Sequence, residues 1–192
     1  MNALDITLKL IGTGMLQFGE FQVNHHFDPL RLQLELLPAY PAFLGQITAE
    51  IGEHIRNTGA ERLVAMPDAI PLGVGVSLQT GIPLVYSRGQ GEPPAYDLVG
   101  AYDSGRRAVV LTNIFAADAA LLRLVNSAQQ VGLKANAVFG LIDLETGHFP
   151  SDIEVISLVS LSAVLDVLKE KTLLPAGQVA SVYEWIGRKR LT

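Results

Sequence analysis

The sequence predicts one α/β domain in which helices flank a central parallel β-sheet. Five short apolar runs recur along the 192 residues, and segments with helical spacing separate them. Apolar residues make up 49% of the chain, which is enough for one sizeable core. Unbroken apolar runs are typical of strands that are buried on both faces. Alternation of such strands with helices favours a parallel sheet with right-handed crossovers.

The first 36 residues differ from the rest of the chain. LQFGEFQVNHHFDPLRLQLEL (16–36) mixes aromatic residues, an Asp-Pro pair and short alternating runs. This pattern predicts a small antiparallel hood beside the main sheet. We therefore divide the single domain 1–192 into an N-terminal hood, about residues 1–36, and a core, about residues 37–192.

The core alternates strands with helices. The predicted strands are RLVAM (62–66), IPLVYS (82–87), AVVLTN (108–113), NAVFGLIDL (136–144) and IEVISLVSL (153–161). The predicted helices are 44–55, 70–80, 121–131, 162–171 and one that starts at Pro175. Glycines at 59, 81 and 132 follow the first three helices, where a left-handed cap favours glycine.

Composition excludes several classes of function. The chain has 14 basic and 19 acidic residues, a net charge of −5 and no basic stripe, so we expect no nucleic-acid partner. It has no cysteine, which excludes disulfides and thiolate metal sites. Because no apolar stretch approaches the ~20 residues of a membrane span and no secretion signal is visible, we expect a cytoplasmic protein without a membrane partner.

Ligands of open α/β sheets bind beyond the carboxyl ends of the strands, so the loops after Met66, Tyr86 and Leu111 are the informative ones. Gly73 and Gly75 form a G-x-G pattern near the first of these loops. They fall inside a predicted helix and not at its first turn, so close helix packing is a better interpretation than a dinucleotide site.

These loops and the first 36 residues follow the order found in orotate phosphoribosyltransferases. LIGTGMLQFGEFQV resembles that family's amino-terminal helix and first strand, and HHFD resembles its hood segment. LVAMPDAIPLGVGVSLQTGIPLVYSR is similar to its pyrophosphate loop, helix and next strand, and GRRAVVLTNIFAADAALLRLVNSAQQVGL to its donor-binding strand, loop and helix. The resemblance covers nearly the full chain. It implies a type I phosphoribosyltransferase fold, a role in pyrimidine nucleotide metabolism and a homodimer.

The donor loop, residues 112–119, departs from the family's pattern of two acids, two apolar residues and Thr-Thr-Gly-Gly. In the family the acids bind the ribose of phosphoribosyl pyrophosphate (PRPP), and the last four amides hold its 5′-phosphate. Neutral Thr112 and Asn113 replace the acids, although each is still able to bond a hydroxyl. The phosphate cradle becomes Ala116, Ala117, Asp118 and Ala119.

Asp118 is the most informative of these changes because it places a carboxylate where the phosphate would lie. We hypothesise that Asp118 caps the following helix from within and replaces the ligand anion. The alternative is an ordinary N-cap in a protein that binds its ligand elsewhere. Either interpretation weakens phosphate binding, since like charges repel.

The segment 87–105 resembles the family's flexible catalytic loop, which carries lysines and a histidine. Here Arg88 is the only basic residue of the segment, and Glu92, Asp97 and Asp103 follow it. Such a loop repels pyrophosphate instead of neutralising it. Arg88 is the catalytic candidate if the protein is active, and a surface arginine at a strand end is the alternative.

Two other loops lack the residues that the resemblance calls for. Asp68 and Ala69 stand in the pyrophosphate loop, where the family tends to have glycines or a lysine. They are the remaining ligand-binding candidates. The basic segment that carries the family's orotate-recognising lysine is shortened to Val23, Asn24 and His25.

We predict no metal site and no resident cofactor, with Mg²⁺ required only if the protein is an active transferase. His25 and His26 are adjacent and face opposite sides of a strand. Asp143, Glu145 and His148 look like a solvated loop. The basic residues Arg188, Lys189 and Arg190 are expected to complement the negative end of the last helix.

Three functions fit these observations. The first is an orotate phosphoribosyltransferase-like protein that has lost PRPP-dependent transfer and serves as a small-molecule-binding or regulatory protein, with a nucleotide among the possible ligands. The second is an active phosphoribosyltransferase, for orotate or another base, that uses a divergent site. The third is a structural dimerisation module. We favour the first, because the site residues have changed within an inherited fold.

Overall fold

The computed structural model describes residues 1–23, 26–90, 93–116, 118–147 and 149–190. Its first elements form the hood: helix α1 (Ala3–Gly12) and strands β1 (Leu16–Val23) and β2 (His26–Leu32). The two strands pair antiparallel, from Leu16 opposite Leu32 to Val23 opposite His26. The predicted hood is confirmed.

The core contains a six-stranded sheet. Its strands are β3 (Arg62–Ala65), β4 (Leu84–Ser87), β5 (Leu98–Val99), β6 (Arg107–Phe115), β7 (Lys134–Asp143) and β8 (Glu154–Ser160). They lie in the order β5-β4-β3-β6-β7-β8, and every neighbouring pair is parallel except β4 with β5. The five predicted strands are therefore confirmed. The short antiparallel edge strand β5 was not predicted, because two residues carry no periodic signal.

The helices follow the predicted order with small shifts at their ends. They are α2 (Pro41–Thr58), α3 (Ile70–Thr80), α4 (Pro94–Asp97), α5 (Ala119–Gln130), α6 (Leu161–Glu170) and α7 (Ala176–Lys189), with 3₁₀ turns at Leu34–Ala39 and Pro67–Ala69. Gly59 and Gly81 cap α2 and α3 with φ of 66° and 74°. Pro175 is the N-cap of α7, so this helix begins at Ala176, one residue later than predicted. Within the described ranges, no helix combines the length and apolarity that a bilayer crossing requires.

The sheet is buried on both faces, as its unbroken apolar strands predict. Along β3, Leu63 and Ala65 join the larger core cluster, whereas Val64 joins the smaller one on the opposite face. Helix α5 covers the smaller cluster through Leu121 and Leu124. The other long helices pack on the larger cluster, and they leave the carboxyl ends of β3, β6 and β7 adjacent at one edge.

Gly73 and Gly75 lie inside α3 and allow it to pack closely. A Cβ at Gly73 would lie 3.0 Å from the Cβ of Ala65 in the sheet. A Cβ at Gly75 would lie 2.5 Å from Cγ2 of Thr48 on α2, closer than real carbon contacts allow. The packing interpretation of these glycines is confirmed.

We expect Gly75→Ala to lower the free energy of unfolding by about 1–2 kcal/mol, because overpacking outweighs the gain in helix propensity. Gly45→Ala on α2 is the matched control, since a Cβ there meets nothing within 4 Å. Urea unfolding of both variants measures the difference. Equal stability of the two variants would contradict the close approach of α2 and α3.

Candidate functional site

The candidate site lies at the carboxyl edge of the sheet, where three loops meet. The pyrophosphate loop follows β3, the donor loop follows β6, and residues 144–147 follow β7. The Met66 N–H donates to the Leu111 carbonyl at 2.9 Å, and the Leu144 N–H donates to the Phe115 carbonyl at 3.0 Å. Parallel pairing of β3, β6 and β7 thus holds the three loops side by side.

Thr112 and Asn113 lie inside the sheet, because β6 continues to Phe115, two residues further than predicted. Thr112 is 4% exposed and Asn113 is 2% exposed. The Thr112 hydroxyl donates to the Ile114 carbonyl at 2.9 Å, and the Asn113 Nδ2 donates to the Asp68 carbonyl at 2.7 Å. Both side chains therefore donate hydrogen bonds within the protein.

Asp118 is the N-cap of α5, as predicted. Its backbone is extended, with φ of −82° and ψ of 164°, and its Oδ1 accepts from the Leu121 N–H at 2.8 Å. Ala119 begins the first turn. No positive φ occurs at Ala116, Asp118 or Ala119. The described part of the donor loop therefore does not enter the left-handed region that favours glycine. Ala117 lies outside the described residues.

Removing the cap is expected to destabilise the protein. Asp118→Ala should lower the free energy of unfolding by about 1 kcal/mol, because the Leu121 N–H loses its acceptor. Asp118→Asn should retain most of the stability, since asparagine caps helices about as well as aspartate. Thermal and urea unfolding of the two variants test this. If Asp118→Asn loses as much free energy of unfolding as Asp118→Ala, the negative charge, and not the hydrogen bond to the Leu121 N–H, is the main contribution.

Asp68 adds a second carboxylate beside the donor loop. Much of the residue is exposed, but its carboxyl group turns inward toward its own N–H, the Ala69 N–H and the Asn113 side chain. Burial of this carboxyl raises the pKa of Asp68, and the charge of Asp118 raises it further. Ala69 itself is fully buried, so its side chain has no surface for a ligand.

The segment that resembles the catalytic loop is folded back onto β4. Ser87 Oγ donates to Asp97 Oδ2 at 2.5 Å, and the Gln90 N–H donates to Asp97 Oδ1 at 2.7 Å. The Arg88 N–H donates to the Asp97 carbonyl at 3.0 Å, while the Arg88 side chain is exposed. Asp103 forms an ion pair with Arg62. Glu92 lies outside the described residues.

A cleft that the sequence did not reveal lies between the hood and the donor loop. Its larger part, a cavity of about 450 Å³, is lined by Ala116, Leu144, Thr146, Gly147, Trp185, Lys189 and Arg190. A second part of about 240 Å³ lies against β2 and shares Trp185 and Lys189. We call the two parts the hood cleft. Trp185 Nε1 donates to Asp28 Oδ1 at 2.7 Å and so joins α7 to the hood.

Loop 144–147 lines the hood cleft and is held in place by hydrogen bonds. Glu145 has a φ of 57°, which is uncommon for a residue other than glycine. Its Oε2 accepts from the Ser162 N–H at 2.7 Å, and its carbonyl accepts from Arg190 Nε at 2.5 Å. Asp143 Oδ1 accepts from the Glu145 N–H at 2.7 Å. Arg190 therefore contacts this loop, beyond the predicted role of complementing the helix end.

No group of three or more His, Asp or Glu side chains is arranged to hold a metal among the described residues. His26 is exposed on β2. His25 and His148 lie outside the described residues.

Asp143 makes stability depend on pH. Burial raises the pKa of Asp143, and the nearby Glu145 charge adds to the rise. A raised pKa means that the folded protein binds the proton more tightly, so the charged form is destabilising. The loss of stability caused by the charged Asp143 carboxylate is complete above the folded pKa and absent below the unfolded pKa of 3.8. In the wild type, this contribution makes the free energy of unfolding rise as pH falls from neutral through the folded pKa. We expect urea unfolding of Asp143→Asn to show a smaller rise over the same pH range. An unchanged pH profile would contradict this assignment.

Comparisons with known proteins support the predicted fold. No family model matches the chain. It is similar to orotate phosphoribosyltransferase from Sulfolobus acidocaldarius, with 20% identity over 189 residues (95% of this chain, 93% of the relative). It is also similar to the enzyme of the same name from Natronomonas pharaonis, with 25% identity over 158 residues (78% of this chain, 90% of the relative).

Solved structures agree with these relatives. UMP synthase from Leishmania donovani superposes with a TM-score of 0.83 and 19% identity over 97% of this chain, which spans 42% of that longer chain. Orotate phosphoribosyltransferase from Francisella tularensis gives 0.69 and 14% identity, covering 95% of this chain and 94% of its own. The type I phosphoribosyltransferase fold and the resemblance to the orotate phosphoribosyltransferases are confirmed.

Proposed function

Since this chain is an orotate phosphoribosyltransferase-like protein, we propose that it binds a small molecule related to pyrimidine nucleotide metabolism, without PRPP-dependent transfer, and acts as a regulatory protein. One observation carries the proposal. The Asp118 carboxylate occupies the N-terminus of α5, where its Oδ1 already accepts from the Leu121 N–H. A helix N-terminus that has its own anion is a poor site for a phosphate.

The magnitude of the repulsion supports the loss of PRPP binding. Two unit charges ~4 Å apart repel by roughly 4 kcal/mol at an effective dielectric of ~20, and a phosphate carries more than one charge. Salt screening lowers this value, but a residual ~1.4 kcal/mol is still tenfold in affinity. Asp68 adds a second negative charge near the same loop.

Two further features argue against transfer. Thr112 and Asn113 are neutral and buried, so they offer no carboxylate to a ribose or to a transition state with positive charge. Asp97 accepts hydrogen bonds from the Ser87 hydroxyl at the end of β4 and from the Gln90 N–H. We infer that Gln90 and Asp97, tied together and to β4 in this way, do not close over a pyrophosphate.

The hood cleft is the place that we propose for the ligand. Its larger cavity of about 450 Å³ falls within the size range of small-molecule sites. Lys189 and Arg190 line this cavity, and Lys189 Nζ lies 5.7 Å from the centroid of the buried Trp185 ring. We infer that this basic lining suits an anion, such as orotate or a pyrimidine nucleotide, since cations pair with carboxylate or phosphate.

Calorimetry tests this proposal. Titration with orotate and with uridine and cytidine nucleotides is expected to show binding of at least one of them, and Lys189→Ala should weaken it by about tenfold. Lys171→Ala, at an exposed position after α6, is the matched control. Failure of all these ligands, with no small-molecule binding at any site, would favour the structural dimerisation module instead.

An activity assay separates the proposal from the active transferase. PRPP, Mg²⁺ and orotate or another base are incubated with the protein, and release of pyrophosphate is measured. We expect none. Stoichiometric consumption of PRPP that is lost in Arg88→Ala would establish the transferase.

Because the chain resembles the orotate phosphoribosyltransferases, we also propose that it forms a homodimer. Sedimentation equilibrium measures the mass of the particle in solution and so tests this proposal.

A further inference from the structure

We propose that a second small-molecule site, separate from the hood cleft, lies between α5 and the end of β4 and binds the zwitterion of a small α-amino acid. The site is a cavity of about 140 Å³. Its lining includes the buried residues Ser87, Asp97, Leu124 and Ser127 and the exposed residues Gly89 and Arg123. Within the described structure, this cavity and the hood cleft share no lining residue.

The Ser127 hydroxyl provides the first observation. Ser127 is 8% exposed, and its hydroxyl has no hydrogen-bond partner among the described residues. Hydroxyls on other helices bond within their own helix: Thr80 Oγ1 donates to the Val76 carbonyl at 2.8 Å, and Ser181 Oγ donates to the Gly177 carbonyl at 3.0 Å. Buried polar groups normally have a partner. Because Ser127 lines the cavity, its hydroxyl is available to a molecule bound there.

The charges that line the cavity provide the second observation. The buried Asp97 carboxylate accepts one hydrogen bond on each oxygen, from Ser87 Oγ and from the Gln90 N–H, and each oxygen has a further lone pair. Neither Asp97 nor Arg123 forms an ion pair in the described part of the chain. A buried carboxylate without a cation is destabilising. One cavity thus combines an unpaired buried carboxylate with an unpaired guanidinium at its exposed side.

This combination selects a small zwitterion. An ammonium group donates hydrogen bonds that suit Asp97 and the Ser127 hydroxyl oxygen, and a carboxylate pairs with the Arg123 guanidinium. An α-amino acid carries both groups on one carbon. The volume of about 140 Å³ lies below the roughly 300 Å³ at which sites for drug-sized ligands begin, so the cavity is too small for a nucleotide or PRPP. Met66 and Leu124 offer an apolar wall for a small side chain.

Titration calorimetry of the full chain with glycine, L-alanine and L-serine tests the inference. At least one of them is expected to bind with a Kd of about 1 mM or tighter, and methylammonium and acetate, which each carry one of the two charges, should bind about tenfold more weakly or not at all. Ser127→Ala and Arg123→Ala should each weaken the amino acid by about tenfold. The exposed positions Asn126, beside Ser127 on α5, and Lys171 supply the controls Asn126→Ala and Lys171→Ala, which should leave the affinity unchanged. Melting temperatures show that each variant is folded.

Hydrogen exchange adds a readout that does not depend on calorimetry. The Gly89 N–H donates to Ser87 Oγ at 3.0 Å, and the Gln90 N–H donates to Asp97. Both acceptors line the cavity, so a bound amino acid should slow exchange of these two amides. The same amino acid should leave their exchange unchanged in Ser127→Ala at a concentration that saturates the wild type but not the variant.

Four results would overturn the inference. They are no binding of any of the three amino acids, acetate that binds as tightly as the amino acids, binding that neither Ser127→Ala nor Arg123→Ala weakens, and a crystal soaked with the amino acid that shows only water beside Ser127. Binding that Lys189→Ala weakens instead would place the amino acid in the hood cleft. The proposed function is tested separately by orotate, nucleotides and PRPP, so either proposal can fail while the other stands.

Discussion

The double variant Asp68→Asn, Asp118→Asn is expected to bind PRPP about a hundredfold more tightly than the wild-type protein in metal-free buffer, from about tenfold for each charge removed. Both carboxylates lie at the loops that would surround the donor's phosphates, so each one repels the ligand. Asparagine at 118 retains the cap on α5, so the change acts on charge and leaves the loop in place. Titration calorimetry in EDTA measures the gain.

The control for this prediction has the same change in net charge away from the site. Asp5 lies in the first turn of α1 in the hood, and Asp152 lies before β8. The variant Asp5→Asn, Asp152→Asn should bind PRPP as weakly as the wild type. If both double variants gain equally, long-range charge explains the effect and the local role of Asp68 and Asp118 is wrong.

Asp97→Ala is expected to lower the free energy of unfolding by about 3 kcal/mol, because it leaves the buried Ser87 hydroxyl and the Gln90 N–H without an acceptor. Asp97 is 4% exposed and accepts from Ser87 Oγ and the Gln90 N–H. Both bonds hold Gln90 and Asp97 beside the end of β4, next to its pairing with the edge strand β5. Urea unfolding gives the change, and hydrogen exchange should show that protection is lost first in this segment.

Asp97→Asn is the matched comparison. It keeps an oxygen for the Gln90 N–H and places an NH₂ beside the Ser87 hydroxyl, so we expect a loss of about 1 kcal/mol. A loss of less than about 1 kcal/mol in Asp97→Ala would mean that the segment is only loosely attached. The argument that it is not free to close over a ligand would then fail.

The parallel strands could be predicted from the sequence because burial on both faces leaves a strong local signal. Val64 faces one cluster while Leu63 and Ala65 face the other, so three consecutive positions of β3 are apolar. Strand β5 lacked such a signal. Its pairing with β4 depends on the turn that Asp97 stabilises, and the contacts of that carboxylate form only in the folded chain.

The candidate site also combines features that the local sequence predicts with features that it does not. The Asp118 cap joins residues three apart, so the local sequence predicts it. The bond from Asn113 to Asp68 spans 45 residues, and that from Trp185 to Asp28 spans 157. No local pattern encodes such contacts. Trp185 and the hood cleft were missed for this reason.

The most direct test of the central claim is the titration of PRPP into the wild-type protein, first in EDTA and then with Mg²⁺. The account predicts no saturable heat at micromolar PRPP in EDTA at pH 7, because Asp118 already occupies the phosphate position at α5. Binding in the micromolar range, with PRPP ordered against the amides around residue 118 in a crystal, would contradict it.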